Sequence, residues 1–287
     1  MPEKIDRSRR QLLGAAATTI AAAQFGITAP ADAGTTRKTA RHQAGKSETA
    51  KVNATVVLVH GAWADGSSWA RVIRPLQSRG LRTMAAPMPL TSLSDDVAAL
   101  ERALERTEGP VVLVAHAYAG AVIGACTNER VRSLVFISAL CPDEGETVAD
   151  VFYRRSASAQ APKLAPDSHG LLWVPEDGFG AAWCQNARPE EAALLAATQR
   201  PIAVAAIQEK APKPAWKVKP SWYLVAEEDR MINPATQRFL AGRMGAHIRS
   251  ERVDHASLIT APDLVVGTVL EAVNSLTAQR SSAQQHG

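Results

Sequence analysis

Only three cysteines stand in this sequence, Cys126, Cys141 and Cys184, and none belongs to a Cys-x-x-Cys or Cys/His cluster. That spacing excludes the usual thiolate cages for zinc or iron–sulfur clusters, and the odd number leaves at least one thiol without an intramolecular partner. Aromatic residues make up 5% of the chain, and no stretch beyond the N-terminus stays apolar for the roughly 20 residues that a bilayer-spanning helix needs. Stable membrane insertion is therefore not expected. Nor is there a block of one charge: 32 Lys and Arg against 28 Asp and Glu give +4 and a pI near 9.1, with the two signs interspersed. Mild basicity scattered in this way leaves no footprint for nucleic acid. With 46% hydrophobic and 21% charged residues the composition excludes wholesale disorder, and 287 residues suffice to bury a sizeable core.

The first 53 residues read as targeting and tether. Ser8-Arg9-Arg10-Gln11-Leu12-Leu13 leads into a mildly apolar, alanine-rich run and then to Ala31-Asp32-Ala33 before Gly34. Charge, apolar run and small-x-small site in that order describe an export signal, and paired arginines with modest hydropathy resemble a twin-arginine signal. The expectation is a signal peptide over residues 1–33, export to the periplasm, and a disordered linker over 34–53, where little apolar surface is available to bury.

From residue 54 a regular alternation begins. A largely apolar run over 54–60 reads as a buried strand that meets Gly61-Ala62-Trp63, after which Ser67 or Ser68 is placed to cap a helix reaching about Arg79. Residues 81–86 read as a second strand, and Ser92 or Ser94 opens a helix carrying Val97, Leu100 and Leu104 on one face. Strands follow over 111–115 and 131–140, the first leading directly into a helix. Such alternation predicts a parallel sheet covered on both faces, with the active site at the carboxyl ends of the strands. It stops over 148–219, which holds Trp173, Trp183 and Trp216, a helical run over 189–198 and no strand of any length. That segment is expected to be a helical cap over the carboxyl edge. Strand character resumes over 221–226, ahead of Glu227-Glu228-Asp229, and Pro234 after Asn233 suits the first turn of a helix. A last strand over 247–253 delivers Asp254-His255, a closing helix is expected over 261–276, and a polar, frayed tail over 279–287. The fold class is thus α/β: a parallel sheet of about six strands flanked by helices, formed by 54–147 and 220–278 around the inserted cap.

The residue most conspicuously missing is a nucleophile. Residues 111–123 (VVLVAHAYAGAVI) read as strand, tight turn and helix. A turn of this kind has the form small-x-nucleophile-x-small, because strand and helix pass too close for larger side chains. Ala115 and Ala119 are the small residues, and Ala117 stands where Ser, Cys or Asp would be. Together with His60-Gly61-Ala62-Trp63, Glu228-Asp229-Arg230 and Asp254-His255, each at a strand end and in this order, the turn resembles that of the α/β-hydrolase superfamily, most closely its compact esterase and hydroxynitrile-lyase-like branch. The likeness spans residues 54–276. It implies Ala117 at the nucleophile position, Asp229 as the acid that orients His255 as general base (with Glu228 as the fallback acid), and the backbone N–H groups of Ala62 and Tyr118 as oxyanion donors. Trp63 and Cys141 are expected on the pocket wall, while His60 and His116 are given no part in proton transfer. No cofactor and no metal are called for. The cap, rich in Ala, Leu and Trp, points to a small, fairly apolar ester or carbonyl compound as substrate or ligand. A methyl group cannot attack a carbonyl, so three readings of Ala117 stand open: a replaced serine in an esterase, an enzyme working through Asp229 and His255 alone, and a pocket that binds without turnover.

Overall fold

Runs of valine, leucine and isoleucine become strands here because β-branched residues favour extended backbone, and because both faces of each run find apolar cover. The computed structural model describes residues 54–284, with side chains to residue 276. The first four strands are β1 (Thr55–Val59), β2 (Arg82–Ala86), β3 (Val111–His116) and β4 (Val131–Ile137). Two two-residue strands follow, β5 (Leu171–Leu172) and β6 (Ile202–Ala203), and then β7 (Ser221–Ala226) and β8 (His247–Glu251). Six of these form one sheet in the order β2-β1-β3-β4-β7-β8, and every pairing in it is parallel. All residues of β1, β3 and β7 are buried, whereas the edge strands β2 and β8 are part-exposed and carry Arg82, His247, Arg249 and Glu251. Charge on an edge strand discourages pairing with another chain.

Helices occupy the crossovers: α1 (Ala70–Ser78), α2 (Leu93–Leu104) and α3 (Ala119–Ala125) in the first half, α4 (Val148–Phe152), α5 (Glu176–Trp183), α6 (Pro189–Ala197) and α7 (Val204–Gln208) in the excursion between β4 and β7, and α8 (Pro234–Arg243), α9 (Ser257–Thr260) and α10 (Pro262–Gln284) at the end. The excursion is mostly helical but also contains β5 and β6, paired antiparallel over two residues each. These are too short for any hydrophobic periodicity to announce them. Among the described residues no helix is long and apolar enough to cross a membrane.

Two local expectations need correction, and a third is narrowed to one of its alternatives. The first turn after β1 is capped by Asp65, whose carboxylate accepts the Ser67 N–H at 2.7 Å, and not by Ser67 or Ser68. A 3-10 turn over Gly66–Trp69 intervenes before α1, which shifts the cap upstream. Of the two serines offered for α2, Ser92 is the cap, accepting the Asp95 N–H at 3.0 Å. Finally, α10 continues to Gln284 instead of fraying after residue 276. The intervening Thr-Ala-Gln-Arg-Ser-Ser-Ala holds neither Gly nor Pro, so nothing in it stops a helix. Residues 1–53, with the expected signal and linker, lie outside the described part of the chain.

Candidate active site

β3 ends at His116, the chain reverses at Ala117 with φ of 50°, and α3 starts at Ala119. This left-handed conformation costs a non-glycine residue on the order of 1–2 kcal/mol. Bonds to the neighbouring strand's end hold it in place: Ala117 N–H donates to the Ile137 carbonyl at 3.3 Å, and Leu140 N–H donates to the Ala117 carbonyl at 2.9 Å. Two glycines permit the close approach. A Cβ at Gly61 would lie 2.8 Å from the His116 carbonyl oxygen and 2.9 Å from the Ala117 methyl, and one at Gly120 would lie 2.5 Å from the Leu140 oxygen. The need for small residues therefore falls on Gly61 and Gly120 as well as on Ala115 and Ala119.

The loop after β8 brings His255 to within 2.8 Å of Asp229, Nδ1 to Oδ2. A carboxylate only accepts, so Nδ1 carries the proton and Nε2 is left as an acceptor. Both side chains are buried, at 1% and 0% exposure. Asp229 is the meeting point of three further donors: Met231 N–H at 2.7 Å and Ile232 N–H at 2.8 Å on Oδ1, and the Gln237 amide at 2.8 Å on Oδ2. Its acidic neighbours face elsewhere, Glu228 pairing with Arg252 and Glu227 with Arg238. Of the three adjacent carboxylates, only Asp229 meets the histidine. His255 lines the cavity described below, and its buried Nε2 has no partner among the described residues.

Two further histidines, His116 and His60, brace the site. His116 packs 4.6 Å from the His255 ring, and its Nε2–H donates to the His255 carbonyl at 2.8 Å. Burial, followed by the nearby His255, holds the His116 pKa well below the ordinary histidine range, so its ring stays neutral. His60 is likewise lowered by burial; its Nδ1–H donates to the Gly61 carbonyl at 3.0 Å, and its Nε2 accepts the Met88 N–H at 3.2 Å. The loop it stiffens carries Ala62 and Trp63. Neither the Ala62 nor the Tyr118 N–H donates to a carbonyl within the turns and loops of the described residues. Both residues line the cavity.

That cavity is bounded by Ala62, Trp63, Ala117, Tyr118, Leu140 and His255 on the sheet side, and by Val148, Phe152, Tyr153, Leu172, Ile202 and Ile207 from the excursion. It is almost wholly apolar. It encloses about 40 Å³, the space of a few water molecules at roughly 15 Å³ each. The Phe152–Tyr153 pair, whose rings meet edge to face at 4.9 Å and whose tyrosine is 61% exposed, lies on the lining of the cavity. Trp63 belongs to the wall, tied to the excursion by its N–H to the Arg200 carbonyl and its indole N–H to the Leu172 carbonyl, each at 2.9 Å. Cys141 does not belong to the wall. Its thiol is fully buried behind Leu140, 3.8 Å from the Ala139 carbonyl, and burial raises its pKa. The carboxyl end of β4 had suggested a pocket position, but the chain turns inward one residue after Leu140. All three cysteines are free and buried, and among the described residues no three His, Cys, Asp or Glu side chains converge to hold a metal ion.

Several participants carry no sequence signal. Gln237, fully buried on α8, donates to Asp229 and to the Ile232 carbonyl and accepts the Ala226 N–H at 3.0 Å, so it fixes the acid to the end of β7. Asp96, in the first turn of α2, looks like an ordinary dipole-complementing acid. In the structure it is buried, accepting the Tyr118 hydroxyl and the Leu90 N–H, each at 2.7 Å, and burial raises its pKa. The link between α5 and α6 clips onto the residue that precedes each member of the dyad: the Gln185 amide donates to the Glu228 carbonyl at 2.7 Å, and Asn186 N–H donates to the Asp254 carboxylate at 2.9 Å.

A family model described as the alpha/beta hydrolase family matches residues 56–268. Among solved structures, the chain is similar to polyneuridine aldehyde esterase (TM-score 0.66, 17% identity, covering 76% of this chain and 98% of that one). It is also similar to a pyrethroid hydrolase from Sphingobium faniae JZ-2 (0.65, 18%, 77% and 97%) and to an extracellular alpha/beta-hydrolase from a Paenibacillus species (0.64, 18%, 76% and 98%). At such identities the likeness is one of fold. No curated protein sequence matches the chain.

Proposed function

The chain belongs to the alpha/beta hydrolase family, and from that membership we propose that it takes a small, largely apolar ester or carbonyl compound into the cavity over Ala117, on a serine-esterase scaffold whose nucleophile position carries a methyl group. The observation that supports this reading is a conjunction: Ala117 keeps the left-handed turn that presents a nucleophile, and His255 keeps a buried, unpartnered Nε2. In this reading Asp229 orients His255, and the N–H groups of Ala62 and Tyr118 receive the oxygen on which negative charge develops. One such donor is worth about 3 kcal/mol in a known protease. An acyl-enzyme needs an oxygen or sulfur nucleophile, so hydrolysis by that route is expected to be weak or absent.

Two narrower readings follow from the same atoms. In the first, Nε2 removes a proton from a carbon acid or from a bound water, the imidazolium being stabilised by Asp229. In the second, the cavity binds without turnover. The deciding experiment compares this protein with its Ala117→Ser variant on a panel of short aryl esters. Burst and steady hydrolysis by the serine variant alone supports the disarmed-esterase reading. Silence from both overturns it, and His255→Ala then separates proton chemistry from binding by whether a reaction or only an affinity is lost. The ligand is proposed to be a small molecule, with neither nucleic acid nor membrane as partner. A periplasmic location is proposed from the N-terminal sequence alone.

A further inference from the structure

A second cleft, which shares no lining residue with the cavity over Ala117, opens between the edge strand β2 and helix α2. It holds about 640 Å³, within the roughly 300–1,000 Å³ typical of small-molecule sites. Met84, Met88 and Ala103 supply apolar lining, and three arginines, Arg102, Arg106 and Arg200, share the wall. Arg102 stands in the last turn of α2 and Arg106 in the turn just beyond its end, while Arg200 arrives from the segment following α6. Six other arginines of the described residues (Arg71, Arg82, Arg238, Arg243, Arg249 and Arg252) each have a carboxylate within 4.0 Å. Among the described residues no such ion pair holds Arg102, Arg106 or Arg200, and eight arginines elsewhere are likewise without one; Asp95 acts on Arg102, and Asp65 and Asp96 act on Arg200, from beyond that distance.

Three unpaired guanidiniums beside an apolar lining match one kind of ligand, an anion with an apolar body. We propose that this cleft binds an apolar carboxylate, a medium-chain or aryl acid, with its head on Arg102, Arg106 and Arg200 and its tail against Met84 and Pro87. Guanidinium is suited to the role because its planar fork meets both oxygens of a carboxylate, and it sheds water more readily than an ammonium. Two hydrogen bonds join the cleft to the loop of Ala62: the Arg200 carbonyl accepts the Trp63 N–H at 2.9 Å, and the Met88 N–H donates to the His60 imidazole Nε2 at 3.2 Å. These bonds bring the cleft's lining within one residue of Ala62 in the chain.

The test is calorimetric titration of the full chain with octanoate and, separately, with octanamide. Octanoate should bind at least tenfold more tightly than the uncharged amide, and more weakly as salt rises. Arg102→Gln/Arg106→Gln should lose at least tenfold in octanoate affinity, with Arg200→Gln as a second, independent variant showing the same direction. His255→Ala should bind octanoate as the parent does, which separates this cleft from the cavity over Ala117. Equal binding of acid and amide, undiminished binding by the arginine variants, or loss of binding in His255→Ala would each overturn the assignment.

Discussion

Replacing Asp229 by Asn tests the site without any assumption about substrate. All four groups around the carboxylate are donors: the N–H groups of Met231 and Ile232, the Gln237 amide and the Nδ1–H of His255. An asparagine oxygen can keep the two backbone donors, but its NH₂ then faces Gln237 and His255. Gln237 retains the Ile232 carbonyl at 2.9 Å, whereas His255 can bond the amide only by moving its proton to Nε2, so that Nδ1 accepts. The variant thus turns an acceptor at the cavity into a donor. The same exchange in a serine protease lowers turnover about 10⁴-fold by imposing the wrong tautomer, so in an Ala117→Ser background we expect ester hydrolysis to collapse. Bonds to a charged group contribute about 1.5–3 kcal/mol each. One such bond is lost at Gln237 and one is reduced to a neutral bond at His255, and both losses are offset by no longer burying a charge, which leaves a net destabilisation of about 2 kcal/mol. Urea unfolding reads the stability, and ¹⁵N spectra of the imidazole read which nitrogen is protonated. A ring that keeps its proton on Nδ1, with an unchanged unfolding midpoint, would refute the geometry and with it the role of His255 as base.

Other outcomes follow from particular contacts. Gly120→Ala places a methyl 2.5 Å from the Leu140 oxygen, a backbone atom with no freedom to swing aside, and should lower stability by about 1–3 kcal/mol or more in urea unfolding. Asp96→Asn should flatten the pH dependence of stability. Burial raises the folded-state pKa of Asp96 above the ordinary aspartate range, so the native state binds more protons than the unfolded chain across that interval, and its stability falls as pH rises through the raised value. The asparagine variant, with its oxygen on Leu90 N–H and its NH₂ on the Tyr118 oxygen, should not show that decline in denaturation midpoints measured across the range. Cys126, Cys141 and Cys184 should resist a thiol reagent at pH 8 in the native state and all react in denaturant, because burial pushes Cys126 and Cys184 up to about 12 and Cys141 higher. Labelling of any one in the folded protein would show that its cover opens.

The parts of this molecule that local pattern reveals are those decided by backbone and burial. Apolar runs mark β1 and β3 because each is covered on both faces, and the turn at Ala117 shows in sequence because close approach of strand and helix admits only small residues at fixed spacing. Asp229 and His255 are legible because each lies in the loop that follows a strand, β7 and β8 respectively, which delivers both to the same sheet edge. What sequence conceals is which polar groups meet once several elements have packed. Asp96 lies 22 residues before Tyr118, in a helical first turn that would be equally content in water; only the arrival of the Tyr118 hydroxyl and the Leu90 N–H makes its burial tolerable. Gln237 is eight residues beyond Asp229, on a helix whose apolar pattern gives no hint that this position points inward. Asn186 and Asp254 come from segments 68 residues apart. Each of these pairings exists because a buried polar group must find a partner and takes the one that the tertiary fold supplies. The positioning residues around the dyad are for this reason the least visible in one dimension, and substitutions such as Asp229→Asn, which exchange an acceptor for a donor with little change of shape, are the sharpest probes of them.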